Sequence, residues 1–297
     1  METKIPIKIP GNLRSNFQGY NQILRFINAL SSVRGSEIII DFKLVNFIEA
    51  NLSAVLGVAF EILESNGNKV KLINLQSQVE TILRKNELLT FYGYLPTIDY
   101  HQTTLPYKKF VPNNAEGFND YIAQYLLAKT EFPSHSEALG KEILRNIFEI
   151  FENARTHGDC EYIHTCGQFF PNREMKPLHF TIVDKGVNIQ ENVNKFLNEQ
   201  LSAVEAIVWA MKKGNTTKTG GQPGGLGLNV IFEFIKLNNG KIHIISADGF
   251  YEFNKGEVET YKLNSPFYGT IVNICFNLND KSYYSLKSES ISDDIIF

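Results

Sequence analysis

The sequence predicts an α/β protein of two units, and three observations carry that prediction. Short apolar strands alternate with amphipathic helices over residues 1–95, a long helix opens a second stretch that ends in strands, and Pro96, Pro106, Pro112 and Pro133 mark the segment between them. A length of 297 residues fits two cores of ordinary domain size. A 43% hydrophobic share with a net charge of -3 excludes global disorder.

The elements follow in order. Ile5 to Ile9 alternates apolar and polar residues, an edge-like strand weakened by its prolines. In residues 19–30, Ile23, Phe26, Ile27 and Leu30 recur at the spacing of one helix face. Glu37–Phe42 is a β-branched run that reads as a buried strand. A helix over 50–64, a strand over Lys69–Asn74 and a helix over 76–89 complete a β-α-β-α-β-α order. Residues 96–136 read as a linker carrying one packing helix. The second unit, 137–279, begins with a helix from about Glu137 to Thr156. Strands near 160–170 and 177–184, helices near 201–213 and 226–237, and strands near 241–247, 250–254 and 268–277 follow, a mixed and largely antiparallel sheet. The polar tail 280–297 is expected to be loosely ordered.

Charge and cysteine content narrow the function. Residues 1–105 hold ten basic and nine acidic side chains, the remainder nineteen and twenty-three, so neither part has the basic surface of a nucleic-acid binder. Three cysteines do not suggest a disulfide framework. No apolar run approaches the ~18 residues of a membrane span, and METKIPIKIP does not read as a signal peptide. A cytoplasmic protein is the expectation. Cys160, His164 and Cys166 alternate along an expected strand without further metal ligands, so buried thiols are expected there.

The chemistry concentrates on the 137–156 helix. At ~100° per residue, Glu142, Asn146, Glu149, Asn153 and His157 share one stripe between an apolar face and a charged one. Alone, such a stripe reads as solvated surface. Asp184, Lys185 and Gly186 directly follow the apolar strand HFTIV, placing a carboxylate at a sheet end or simply a turn. Gly224, Gly225, Leu226, Gly227 and Leu228 run into the helix LNVIFEFIKL, where N–H groups at the positive end of the dipole suit an anion. Gly269-Thr270 precedes the last strand.

Together and in this order the motifs resemble the boxes of the GHKL ATPase superfamily, which includes histidine kinases. Glu149 to Gly158 (EIFENARTHG) resembles its N box in the form found in anti-sigma-factor serine kinases, Asp184–Ile189 its G1 box, and Gly224–Leu228 its G2 box. The resemblance implies a Bergerat-type α/β sandwich that binds ATP and Mg²⁺. It implies Asn153 as the Mg²⁺ ligand, Glu149 as the group that orients or deprotonates the attacking nucleophile, and Asp184 as acceptor for the adenine amino group. Gly186 would allow close approach to the base, Thr270 would complete the adenine pocket, and the Gly224–Leu228 segment would wrap the phosphates. Asn188 stands where the G1 box usually has a second glycine, and Asn tolerates positive φ better than most residues. The stretch Asn188–Gln222 would form a lid, with Lys212, Lys213 and Lys218 as cations for the triphosphate. His157 reads either as part of the site or as a helix cap ahead of Gly158.

Residues 1–95 resemble a STAS domain, carried by IIIDFKLVNFIEANLSAVLGVAFEILE and VKLINLQSQVETILRKNEL. Antagonists of that family carry a phosphoacceptor serine in a loop that here reads Glu49-Ala50-Asn51-Leu52, so phosphorylation is not expected, and nearby Ser53 is read as helix support. The resemblance implies a platform for a protein partner, and homodimerisation is a further expectation. The function implied is Mg²⁺-dependent ATP hydrolysis or phosphoryl transfer to a protein. The alternative is a non-catalytic ATP switch acting on contacts made through the first unit.

Overall fold

A computed structural model of the chain describes residues 4–212, 214–215, 217, 229–289 and 295–296. Strands β1 (Lys4–Lys8), β2 (Glu37–Asp41) and β3 (Lys69–Ile73) form a parallel three-stranded sheet in that order. Helices α1 (Phe17–Leu30), α2 (Ser53–Ser65) and α3 (Ser77–Lys85) follow the strands in turn. Asn16 caps α1 by accepting the Gly19 N–H, and the predicted apolar stripe of that helix is buried. The helix expected over 76–89 ends at Lys85, because Glu87 takes a left-handed φ of 67° before a 3-10 turn at Leu88–Tyr92.

The segment 96–136 supplies more than a packing helix. Its β4 (Thr104–Phe110) is an edge strand, which the proline pattern concealed. Pro106 lacks a donor, and a sheet edge is where a strand tolerates that. The expected helix follows as α4 (Ala115–Tyr121) and a π-helical turn at Ile122–Leu127.

Helix α5 (Glu137–His157), capped by Ser136 at the Leu139 N–H, leads into β5 (Ile163–Phe169) and β6 (Pro177–Asp184). Helices α6 (Ile189–Leu197), α7 (Ala203–Met211) and α8 (Asn229–Leu237) come next. Strands β7 (Lys241–Asn254) and β8 (Glu257–Asn277) complete an antiparallel sheet in the order β4-β5-β6-β8-β7. The two strands expected near 241–247 and 250–254 are one, with a register irregularity at Ala247. Lys255 and Gly256, both at positive φ, turn β7 directly into β8, so the last strand starts eleven residues earlier than 268.

This larger sheet is covered on both faces. Alternation sends Leu178, Phe180 and Ile182 of β6 and Val272, Ile274 and Phe276 of β8 to one side, packed with Ile143, Ile147, Ile150 and Phe151 of α5 and Phe234 of α8. Val183, Ile245 and Ile271 point the other way into a core shared with α1 and α2. Helices α1 and α2 therefore lie between the two sheets.

Polar groups line that rear contact. Asn51 Nδ2 bonds Ser15 Oγ (2.8 Å), Thr181 Oγ1 (2.9 Å) and Asn273 Oδ1 (3.2 Å), and the Ala50 N–H bonds Gln168 Oε1. The loop Glu49–Leu52 is thus closed inside the molecule. Ser53 is fully buried and its Oγ accepts from Asn86 Nδ2 at 2.7 Å, a structural placement.

The tail corrects its expectation. Tyr284 in β9 (Tyr284–Ser285) is fully buried, its backbone bonds Ser134 and Ser136, and its ring meets Phe234 at 4.9 Å. Composition alone reads 280–297 as polar, but one large aromatic is enough to anchor its first part. Strand β9 pairs with β10 (Ile295–Ile296). Among the described residues, no helix is long and apolar enough to cross a membrane.

Candidate functional site

A pocket opens on the front of the larger sheet between α5, α6 and α7. Its walls bring together Glu149 and Asn153 of α5, Asp184 at the end of β6, and Thr270 of β8. The α5 residues arrive there because positions 149 and 153 lie one turn apart on the same face. Asp184 arrives because β6 alternates, and 184 shares the inward face with Ile182. Ile182, Ile244 and Val272 make the pocket floor apolar, and Trp209 and Met211 of α7 add to its lining.

Asp184 is the electrostatic centre of this pocket. The residue is 5% exposed, and its Oδ1 has no hydrogen-bond partner among the described residues. Burial pushes its carboxyl up to about 7, although the backbone N–H groups of Thr270 and Gly186 pull it down. Asp184 lines the apolar cleft and its Oδ1 leaves one hydrogen bond unmet, which a ligand donor can satisfy.

Asn146, one turn before Glu149, is 2% exposed and serves the scaffold. Its Nδ2 bonds the Glu142 carbonyl at 2.9 Å, and its Oδ1 accepts the Ile231 N–H of α8 at 3.1 Å. His157 also lines the pocket, and its carbonyl accepts Asn192 Nδ2 of α6 at 3.2 Å.

Two residues of the G1-like segment sit elsewhere. Gly186 does not line the pocket: a Cβ there would overlap the Gly158 carbonyl, and the neighbouring Val187 N–H donates to that carbonyl at 2.6 Å. Its glycine permits backbone closure against the end of α5. Asn188 has φ -77° and caps α6, accepting the Glu191 N–H at 2.9 Å, so no positive φ is required of it. Gly269, by contrast, has φ 129°, and a Cβ would overlap the Asp184 carbonyl.

Gly224, Gly225, Leu226, Gly227 and Leu228 lie outside the described residues, as do Lys213 and Lys218. Within the expected lid, Lys212 is exposed, and Asn215 and Thr217 line the pocket. Sequence reasoning did not single out Trp209, Asn192 or Val193. Trp209 is the chain's single tryptophan, yet it sits in the run AIVWAM, which carries no signal beyond core packing.

The cysteine and histidine pattern resolves differently. Cys166 is fully buried on β5, whereas Cys160 precedes the strand, and no group of three metal-ligating side chains occurs among the described residues.

No family model and no curated protein matches the chain. Among solved structures the chain is similar to a histidine kinase domain from a blue-light activated histidine kinase of Erythrobacter litoralis. The identity is 13% and the TM-score 0.27, over 76% of this chain and 83% of that one. That likeness is too remote to assign an activity.

Proposed function

We propose that the chain binds ATP in the pocket between α5, α6 and α7, with the adenine amino group donating to Asp184 Oδ1. The partnerless acceptor of Asp184 carries this reading. An aromatic base suits the apolar floor of Ile182, Ile244 and Val272, and an exocyclic amino group supplies the missing donor. In this reading residues 1–95 are a STAS-like regulatory unit and 137–279 the nucleotide-binding unit.

Glu149 and Asn153 lie on the same pocket wall and offer the oxygen donors that a hard cation prefers. Asn153 would hold Mg²⁺, which when bound neutralises phosphate charge. Glu149 would accept a proton from the attacking group, a water in an ATPase or a protein hydroxyl in a kinase. The resulting activity is γ-phosphoryl cleavage or transfer.

A second reading is an ATP-dependent switch without rapid turnover, in which nucleotide alters contacts of the N-terminal unit. It is favoured by the rear contact, where Asn51 and Glu61 of that unit bond strands of the larger sheet. Calorimetric titration of ATP against ITP, whose base has a carbonyl in place of the amino group, tests binding. A preference for ATP that disappears in Asp184→Asn is expected, and equal affinities in the parent protein refute the assignment. Single-turnover release or transfer of the γ-phosphate, lost in Glu149→Gln with binding retained, selects the enzyme. Binding with no turnover in either protein selects the switch.

A further inference from the structure

Directly behind the pocket, a carboxylate from the N-terminal unit reaches the loop that presents Asp184. Glu61 of α2 is 4% exposed and faces three cationic or imidazole groups, on β4, on β5 and directly after β6. Its Oε2 lies 2.7 Å from His164 Nε2 and 3.7 Å from Lys109 Nζ. Its Oε1 meets Lys185 Nζ at 3.2 Å in an ion pair and has no hydrogen-bond partner among the described residues. His164 is fixed in turn by the Tyr107 hydroxyl, 2.8 Å from Nδ1.

Lys185 follows Asp184, and its side chain is drawn to the rear while the Asp184 carboxylate lines the pocket in front. Lys185 and Gly186 form the short link between Asp184 and Val187, whose N–H is held by Gly158. A pull on Lys185 therefore acts on the backbone that aims the carboxylate. His164 and Lys109 still face Glu61 Oε2 when Lys185 is lost, so the loss falls on the loop that Lys185 tethers.

We propose that Glu61, through Lys185, is a positioning residue for Asp184, so that base recognition is completed by the N-terminal unit. The proposal rests on the ATP reading of the pocket. It makes the N-terminal unit part of the site: α2 braces the recognition loop from behind, and displacement of α2 would weaken nucleotide selection.

The test measures ATP and ITP dissociation constants for the full chain and for Lys185→Met, Lys185→Arg, Glu61→Gln and the Glu61→Gln/Lys185→Met double variant. Lys185→Met is expected to weaken ATP binding on the order of tenfold while ITP binding changes little. Lys185→Arg keeps the charge and restores the preference, and the double variant is no worse than Lys185→Met alone. Circular dichroism checks folding. If Lys185→Met does not fold, the double variant, which removes both charges, is compared with Glu61→Gln: an equal loss of ATP preference is expected, and a clearly larger loss in the double variant refutes the pairing. Equal losses for ATP and ITP, or an unchanged ratio in folded Lys185→Met, overturn the proposal while the pocket assignment stands. Absence of ATP binding in the parent overturns both.

Discussion

The side-chain oxygen of Asn146 accepts the backbone N–H of Ile231 at 3.1 Å, tying the middle of α5 to the first turn of α8 across 85 residues of chain. The first N–H groups of a helix have no partner within it, so this bond satisfies a donor that burial would otherwise strand. Asn146→Ala removes it and is expected to destabilise the fold by about 1–3 kcal/mol, read as a lowered denaturant midpoint. If α8 is positioned through this bond, ATP affinity falls as well. Unchanged stability and affinity would show that Asn146 is dispensable.

The proposed recognition role of Asp184 comes with a pH-dependent effect on stability. Its carboxyl, raised to about 7 by burial, folds most readily when protonated. Between the usual carboxylate range and about 7, the unfolded chain ionises while the folded chain holds the proton. This contribution to stability therefore falls as pH rises and levels off above about 7. Asp184→Asn removes that ionisation, so relative to the parent it should gain thermal stability on moving from pH 5 to pH 8. The same variant loses its preference for ATP over ITP. Melting curves at the two pH values decide, and a stability difference that does not change with pH contradicts the assigned ionisation.

Much of this arrangement was legible because local patterns match their neighbourhood. The alternation of β6 fixes which side Asp184 faces, and the α5 stripe places Glu149 and Asn153 on one wall with it. Other features depend on distant partners. His164, Thr181 and Asn273 look like arbitrary polar residues in apolar strands, and their bonds to Glu61 and Asn51, from α2 and its preceding turn, join positions too distant in sequence for any local pattern to show. Strand β4 was hidden by Pro106, whose missing donor is harmless only at an edge. Asn188 was read through a glycine it replaces, whereas its side chain caps α6. Trp209 reaches the pocket through the angle of α7, which no residue spacing encodes.

Trp209 gives the site its own reporter. It is the single tryptophan, lines the pocket and lies 6.0 Å from the Phe196 ring. A nucleotide entering the pocket changes the polarity and stacking around the indole, so ATP titration should shift or quench the emission. The change should saturate with the dissociation constant found by calorimetry and be absent for ribose triphosphate lacking a base. Emission that ignores saturating ATP places the nucleotide elsewhere.

Gly186→Ala is the sharpest test of the backbone junction. The end of α5, the loop after β6 and the start of the inner part of β8 meet where Gly158, Gly186 and Gly269 stand. A Cβ on Gly186 overlaps the Gly158 carbonyl, and backbone cannot yield as a flexible side chain can. The substitution must push the loop away from α5, breaking the Val187 N–H bond to Gly158 and displacing Asp184. Overpacking against rigid neighbours costs about 1–3 kcal/mol or more, and the lost hydrogen bond adds to it. Chemical denaturation should therefore show a loss of about 3 kcal/mol, with ATP affinity reduced even where the fold persists. Gly67→Ala provides the contrast: its site at φ 72° meets no atom within 4 Å, so it carries conformational strain without a clash. It should lower stability by about 1 kcal/mol and leave nucleotide binding intact. A Gly186→Ala protein as stable and as tightly binding as the parent would mean that the three glycines do not hold the recognition loop in place.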